Sequence, residues 1–462
     1  MPLIKPRVAI AGGGMAGLSL AYYLTKAGYA VRIFEKSSEW GGADASTAWQ
    51  DIRIERHYHH YFSHDRDVIG LIRELGLGNR LLWTQGSTAV YYGGKIYSLA
   101  PLAFLLKFQP LPMIERLRFI TGILKIITSK KIQPNDPVLR EQSAVEWAEK
   151  YFGKKLSDVM WRPLLKSKFG SSYDNISAAF LYGRIYNRVS SRKLNQPKEL
   201  LGYLEGSSSE LIQATVSAIA ARGGLLTLGR GVQSIRFNDQ GKAVGLIDDQ
   251  GEFHESDAVV LAVQTPQAAQ ILSQSTSVPG GLNPEIEQLG AVRYQQVISL
   301  IMITKEQFSP YYWMNIADTD KPFPVVVEQT NFVPPSKYGG RRLMYVSTYR
   351  DPGDIFYKNS DKEIFNLFVS HLKQMNPQFH EDQTEGYLVS RERFATPVYE
   401  KNFERLITPI QSKCPNLFYL NGTQVFPDSR NVNKMVALGK QCLQKIQELN
   451  FSESSKHIIP TA

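Results

Sequence analysis

Three glycines and one acid carry the clearest chemical signal in this sequence of 462 residues. Gly12, Gly14 and Gly17 follow the strand-like run Arg7-Val8-Ala9-Ile10-Ala11 and lead into a helix-spaced run that includes Leu18, Ala21, Tyr22 and Leu24. In a strand–turn–helix unit the first glycine permits the tight turn, the second lets a pyrophosphate approach the backbone, and the third lets the helix pack on the strand. Met15, Ala16 and Gly17 then form the helix N-terminus, whose free N–H groups and partial positive charge suit a phosphate. Gly28 is placed to close the helix, and the next strand-like run, Ala30 to Phe34, ends on Glu35, where an acid accepts hydrogen bonds from an adenosine ribose. All five parts fall in register, so the unit reads as a dinucleotide cradle. It does not by itself choose between a nicotinamide and a flavin.

A second group of chemically capable residues is histidine: His57, His59, His60 and His64 are half of the eight in the chain. The step from His60 to His64 would put two ligands on one helical face, so a metal site is one reading. No Cys, Asp or Glu completes a ligand set at the usual spacing, and Tyr58, Tyr61 and Phe62 are interleaved as in a packed segment. We therefore expect no metal and read the segment as aromatic and imidazole packing.

Several other stretches resemble one superfamily, that of the amine oxidases, protoporphyrinogen oxidases and phytoene desaturases. Lys36 to Ser46, with the pair Gly41-Gly42, resembles its second glycine element, although Ala43 and Asp44 stand where a bulky or basic residue is usual. Leu417 to Thr423, then Pro427 to Asn433 and a helix from about Lys434 to Leu449, resembles its C-terminal flavin element, with Thr423 in place of the common acid. The stretch from Gly223 to Pro266, with hairpin turns at Asn238 to Gly241 and Asp248 to Gly251, is similar to its middle part. Glu55 to Phe62, Leu164 to Gly170, Leu201 to Gly206 and Arg393 to Pro397 resemble a bacterial branch described as protoporphyrinogen oxidase-like or UDP-galactopyranose mutase-like.

The resemblance implies FAD as cofactor. It places Lys36, Gly41, Gly42, Ala43, Val232, Gly422, Thr423 and Asn433 at the cofactor beside Gly12, Gly14, Met15, Ala16, Gly17 and Glu35, and it runs the histidine segment past the flavin. It implies oxidation of a small-molecule substrate, with hydride passing to flavin N5 and oxygen or another acceptor taking the electrons. Catalytic residues stay unassigned, with His57 and Lys168 as candidates; Lys168 also reads as a surface lysine. The mutase branch implies a non-redox alternative in which arginines such as Arg341, Arg342, Arg350 and Arg393 grip a sugar-nucleotide diphosphate. A flavin carrier without catalysis is a third reading.

The elements that must position these residues follow from length and pattern. A chain this long exceeds one ordinary core. We expect an α/β fold: a Rossmann-like FAD-binding domain from three segments (1–95, 201–275 and 401–450), a helical insertion (96–200), a second sheet (276–400) and a tail (451–462). Alternating runs at Gln296 to Ile303 and Leu343 to Ser347 read as strands of that sheet.

Apolar residues at 43% and charged residues at 21% are ordinary for a globular chain. The net charge of +10 is spread along the sequence, which argues against nucleic acid and suits an anionic cofactor, substrate or membrane surface. Two unspaced cysteines, Cys414 and Cys442, point to a reducing, cytoplasmic setting, and no run is long and apolar enough to span a bilayer. From Pro112 to about Ser129, Met113, Leu117, Ile120, Leu124 and Ile127 form one apolar stripe beside Arg116, Arg118, Lys125, Lys130 and Lys131. With the run from Leu99 it resembles the membrane-facing region of protoporphyrinogen oxidases, so residues 99–131 imply peripheral membrane contact. The same stripe also fits packing inside the substrate domain. The sequence does not fix the oligomeric state.

Overall fold

The computed structural model describes residues 5–128, 136–190 and 200–449; Ser129, Lys130, Lys131 and the tail 451–462 lie outside the described residues. Five parallel strands form the first sheet, in spatial order Leu225–Leu228, Ala30–Glu35, Arg7–Ala11, Ala258–Leu261 and Leu417–Tyr419. Parallel strands covered on both faces need apolar residues at successive positions, and Val259, Val260 and Leu261 are fully buried. One face carries the helices Met15–Lys26, Ser208–Ala221 and Val432–Gln447. The first and last of these approach so closely that a Cβ on Gly439 would lie 2.5 Å from Ser19 Oγ. The other face is covered by an antiparallel meander, Val232–Phe237, Ala243–Asp248 and Phe253–Glu255, with Phe34, Ile235, Leu246 and Leu261 in one core. The strand order reverses beside Arg7–Ala11, and ligands of open α/β sheets sit at the carboxyl ends of strands at such a switch point.

A seven-stranded mixed sheet builds the second half, in the order Thr384–Pro397, Tyr294–Thr304, Arg342–Arg350, Val325–Glu328, Trp313–Ile316, Thr88–Tyr92 and Lys95–Ser98. Every residue of Tyr294–Thr304 is buried, because alternate side chains serve two cores. Ile298, Leu300 and Met302 meet the helix Asp361–Met375, and Ile301 and Ile303 meet Tyr345 and Val327. The boundary read from sequence at residue 95 falls inside the hairpin Thr88–Tyr92 and Lys95–Ser98, which pairs with this sheet through Trp313–Ile316. Such pairing across more than two hundred residues has no local signature.

Helices dominate the first insertion, among them Met113–Thr128, Ala144–Phe152, Arg162–Phe169 and Ala178–Ser190. The apolar stripe on Met113–Thr128 does not face the core: Met113, Leu117, Leu124 and Ile127 are each 45–51% exposed. The inward face is instead Gly122 and Ile126 with Arg116, whose guanidinium donates to the carbonyls of Leu111 (2.7 Å) and Leu105 (2.8 Å). A Cβ on Gly122 would lie 2.7 Å from the Phe152 ring, so the helix approaches closely there, with Phe119 packed beside it on Phe104 and Phe152. No described helix is long and apolar enough to cross a membrane.

Candidate functional site

The glycine turn has the geometry a diphosphate needs. Gly12, at φ 110°, has a backbone conformation that favours glycine, and a Cβ there would lie 2.3 Å from the Ala262 carbonyl oxygen. Gly17 is closed in by the Gly12 carbonyl oxygen, 2.0 Å from a notional Cβ. Gly14 differs: a Cβ there would meet no atom within 4 Å. Gly14 N-caps Met15–Lys26, no side chain caps that end, and no acid lies in the first turn. The N–H groups of Met15, Ala16 and Gly17, which have no partner within a helix, therefore start at open space.

Gly41 and Gly42 complete this cradle. Gly41 N donates to Gly13 O at 2.8 Å, Gly14 and Gly41 form an isolated parallel bridge, and a Cβ on Gly42 would lie 3.3 Å from Gly14 Cα. Ala43 continues into the short turn Gly42–Asp44. Glu35 ends the second strand and accepts from Gly13 N (2.7 Å), Ser37 N (2.8 Å) and Ser37 Oγ (2.8 Å). Its remaining lone pairs are free for ribose hydroxyls. Arg230 N donates to Glu35 O at 2.8 Å, which brings Val232 and the Lys36 side chain to the same end of the cradle.

At the C-terminal element Gly422 and Thr423 open a short turn after Leu417–Tyr419, and Thr423 is fully buried with its hydroxyl donating to Asn421 Oδ1 at 2.6 Å. Asn433 lies in the first turn of the last helix, but its Oδ1 accepts from Asp67 N (2.9 Å) and Val68 N (3.0 Å). Its side-chain oxygen thus caps the helix Arg66–Glu74.

Beside the cradle, the segment 57–64 meets side chains of the second half of the molecule. His57 Nδ1 lies 2.9 Å from Ser299 Oγ, and burial, with the charges of His59 and Arg430, pushes the imidazole down to about 3, so it is neutral. His60 Nδ1 lies 2.9 Å from Tyr312 OH, and burial likewise lowers it to about 3. His59 Nε2 pairs with Asp44 at 2.7 Å. Burial works against that pair, yet the hydrogen bond and mutual charge hold the Asp44 carboxyl below, and the His59 imidazole above, its ordinary value. His64 stacks on Phe62. The segment 57–60 is not helical, so His60 and His64 do not share a helical face, and the histidines turn to separate partners.

Lys168 lies at the end of Arg162–Phe169, half-buried, with Nζ 4.3 Å from the Tyr349 ring centroid. Burial lowers its pKa, with Arg184 and Arg430 adding repulsion. The Tyr349 hydroxyl bonds both Lys168 and Tyr58, and these neighbours lower its own pKa against the effect of burial. Arg184 Nη1 donates to Ser429 Oγ at 2.8 Å. The surface-lysine reading of Lys168 is thereby replaced by a half-buried position against Tyr349. Of the four arginines considered for a diphosphate, Arg341 pairs with Asp51 (2.9 Å) and Arg350 donates to Pro322 O (3.1 Å) and stacks on Phe356 (4.1 Å). Arg393 stacks on Phe394, and Arg342 begins a strand of the second sheet.

Sequence reasoning did not single out Asp44, Arg184 or Arg430 as residues of this region. The motif Pro427 to Asn433 contained Arg430, but nothing local shows that its charge acts on Asp44, His57 and Lys168, which come from three other segments.

A parallel sheet with an open glycine cradle at its switch point defines a dinucleotide-binding protein. Residues 15–409 match the family model of flavin-containing amine oxidoreductases, and the chain belongs to that family. It is 26% identical over 317 residues to the 15-cis-phytoene desaturase of Synechococcus elongatus, covering 64% of this chain and 64% of that relative's length. A crystal structure of a putative protoporphyrinogen oxidase from Exiguobacterium sp. 255-15 has the same fold (TM-score 0.73, 18% identity, 96% of this chain and 99% of that one). Reduced UDP-galactopyranose mutase shares it too (TM-score 0.72, 16% identity, 97% of each). FAD is the cofactor, and the residues present fit it: the Gly14 opening, the unopposed helix N-terminus and Glu35 match a diphosphate and a ribose in turn.

Proposed function

We propose that this chain is an FAD-dependent oxidoreductase that moves hydride from an organic substrate to flavin N5, with oxygen or another acceptor restoring the flavin. The observation that carries this reading is that polar side chains of both halves meet beside the cradle, His57 on Ser299 and His60 on Tyr312, with Lys168 against Tyr349. When bound, FAD supplies the two-electron chemistry, and the protein supplies binding, orientation and electrostatics. Backbone groups at Gly14 and Gly41-Gly42 hold the diphosphate end, and Glu35 holds the ribose. Neutral His57, fixed by Ser299, presents a polar edge that carries no charge at neutral pH. Lys168, with its lowered pKa and its bond to Tyr349, is placed to hold or release a proton through that hydroxyl. The similarity to a desaturase supports oxidation; the engagement of Arg341 and Arg350 within the protein weighs against the mutase alternative. The test is turnover of candidate substrates with an electron acceptor. Stoichiometric acceptor consumption is expected; product formed with no net acceptor consumed would favour isomerisation and refute oxidation.

We propose in addition that the helix Met113–Thr128 rests on an anionic bilayer on the cytoplasmic side. Leu106, Met113, Ile114, Leu117, Leu124 and Ile127 are all exposed, with Lys107, Arg118 and Lys125 among them. Apolar insertion flanked by cations suits anionic headgroups. The protein should sediment with phosphatidylglycerol vesicles, and Leu117→Asp with Leu124→Asp should release it. A parent protein that stays in the supernatant would refute this contact.

A further inference from the structure

Three side chains from distant segments form one hydrogen-bonded line. His57 Nδ1 lies 2.9 Å from Ser299 Oγ, and Ser299 Oγ lies 2.8 Å from Ser347 Oγ. The two serines are direct cross-strand partners on Tyr294–Thr304 and Arg342–Arg350, and they are 0% and 1% exposed. Neither hydroxyl has another hydrogen-bond partner among the described residues.

Each serine hydroxyl has one proton to donate. If Ser347 donates to Ser299 and Ser299 donates to His57 Nδ1, both protons find an acceptor. If His57 donates from Nδ1 instead, Ser299 can accept, but one serine proton is then stranded: that of Ser347 where Ser299 donates to it, or that of Ser299 where Ser347 donates. Burying a donor without an acceptor favours the first arrangement by about 5- to 150-fold. The same count disfavours the imidazolium, which must donate from Nδ1. The ring proton of His57 therefore sits on Nε2, because the bond made by one ring nitrogen sets the state of the other.

Nε2 is turned away from this line. It bonds to no described residue and remains open to solvent. His59, two residues on, is bonded through its own Nε2 to Asp44 at 2.7 Å. Asp44 ends the turn Gly42–Asp44, and a Cβ on Gly42 would lie 3.3 Å from Gly14 Cα. His57 thus stands between the second sheet and the cofactor cradle, with its N–H on the open side.

Building on the oxidoreductase reading, we propose that Ser299, closed off by Ser347, is a positioning residue that holds His57 as its Nε2–H tautomer and makes it a hydrogen-bond donor, not a general base, between the cradle and the second sheet. Such a donor holds an acceptor atom, for instance a carbonyl or hydroxyl oxygen. A proton to be abstracted finds no lone pair on this side of the ring, so its removal falls to another group.

The test is a ring nitrogen–proton correlation spectrum of the protein carrying isotope-labelled histidine, in which protonated and bare ring nitrogens resonate far apart. His57→Asn identifies the ring by the signals it removes. The visible spectrum of the same sample reports separately whether flavin is present, so failure of the cofactor reading and failure of this one are distinguishable. We expect a bare Nδ1 and a protonated Nε2 in the parent at neutral pH. Ser347→Ala leaves Ser299 with His57 as its only acceptor and should give the same pattern. Ser299→Ala removes the lock, and both nitrogens should move toward the averaged values of a free imidazole, whereas a merely structural serine would leave them in place. A proton on Nδ1 in the parent or in Ser347→Ala, or parent values in Ser299→Ala, would overturn the proposal.

Discussion

Gly14→Ala should separate cofactor binding from folding. Gly14 sits at φ −73° and ψ 173°, a conformation open to any residue, and an added methyl meets no protein atom within 4 Å. Removing glycine's freedom in the unfolded chain stabilises by about 0.4–1 kcal/mol, and replacing a favoured N-cap residue by alanine costs a comparable amount, so the FAD-free variant should melt close to the parent. The same methyl occupies the space through which a phosphate reaches the helix N-terminus. Losing one hydrogen bond to a charged group costs about 1.5–3 kcal/mol, which at about 1.4 kcal/mol per decade weakens FAD about 10- to 150-fold. Gly17→Ala is the contrast: its methyl falls 2.0 Å from the Gly12 carbonyl oxygen, and the repacking costs about 1–3 kcal/mol or more of stability. Thermal unfolding of the FAD-free proteins and titration with FAD by fluorescence quenching read the two effects apart. A Gly14→Ala protein that binds FAD like the parent, or that melts as early as Gly17→Ala, refutes the assignment of this opening to the diphosphate.

Three further outcomes follow from the electrostatics. His57, pushed down to about 3 by burial, should keep one ring-proton chemical shift across about pH 5–8; a midpoint within that window would contradict its neutral role. In the FAD-free protein, Asp44, held low, adds stability present above 3.8 and lost as pH falls through its folded value. His59, held high, adds stability present below 6.5 and lost as pH rises through its folded value. The melting-temperature gap between parent and Asp44→Asn should therefore be widest between pH 3.8 and 6.5, and a gap that does not shrink well above pH 6.5 would count against the pair. Cys414, raised to about 11 by burial, and the fully buried Cys442 should both resist a thiol reagent in the native protein and react on unfolding. Rapid native labelling would show that the core around them is open.

The cradle was legible because its logic is local. Strand, glycines, helix and Glu35 span fewer than thirty residues, and each residue type answers a backbone or ligand requirement within that unit. The five-stranded sheet was legible for a related reason, since runs such as Ala258–Leu261 are apolar throughout, as two-sided burial demands. The hairpin at 88–98 was misallocated because its pairing with Trp313–Ile316 is long-range. The apolar stripe at 113–127 gave the right helix, but its period cannot say which way the helix turns. Gly122, close against Phe152, and Phe119 beside it lie on the inward side. Asn433 fits a flavin motif by position, yet its side-chain oxygen serves a helix 365 residues away. The junction of the two halves was the least visible feature, because His57, Lys168, Arg184 and Arg430 meet only after both halves have folded.

The central claim is that the Gly14 cradle holds FAD and that this FAD is redox-active. The visible absorption spectrum of the purified protein, before and after anaerobic dithionite, tests it most directly. An oxidised-flavin spectrum that bleaches on reduction and returns in air is the expected result, whereas a colourless protein that cannot be reconstituted with added FAD would contradict the account at its root.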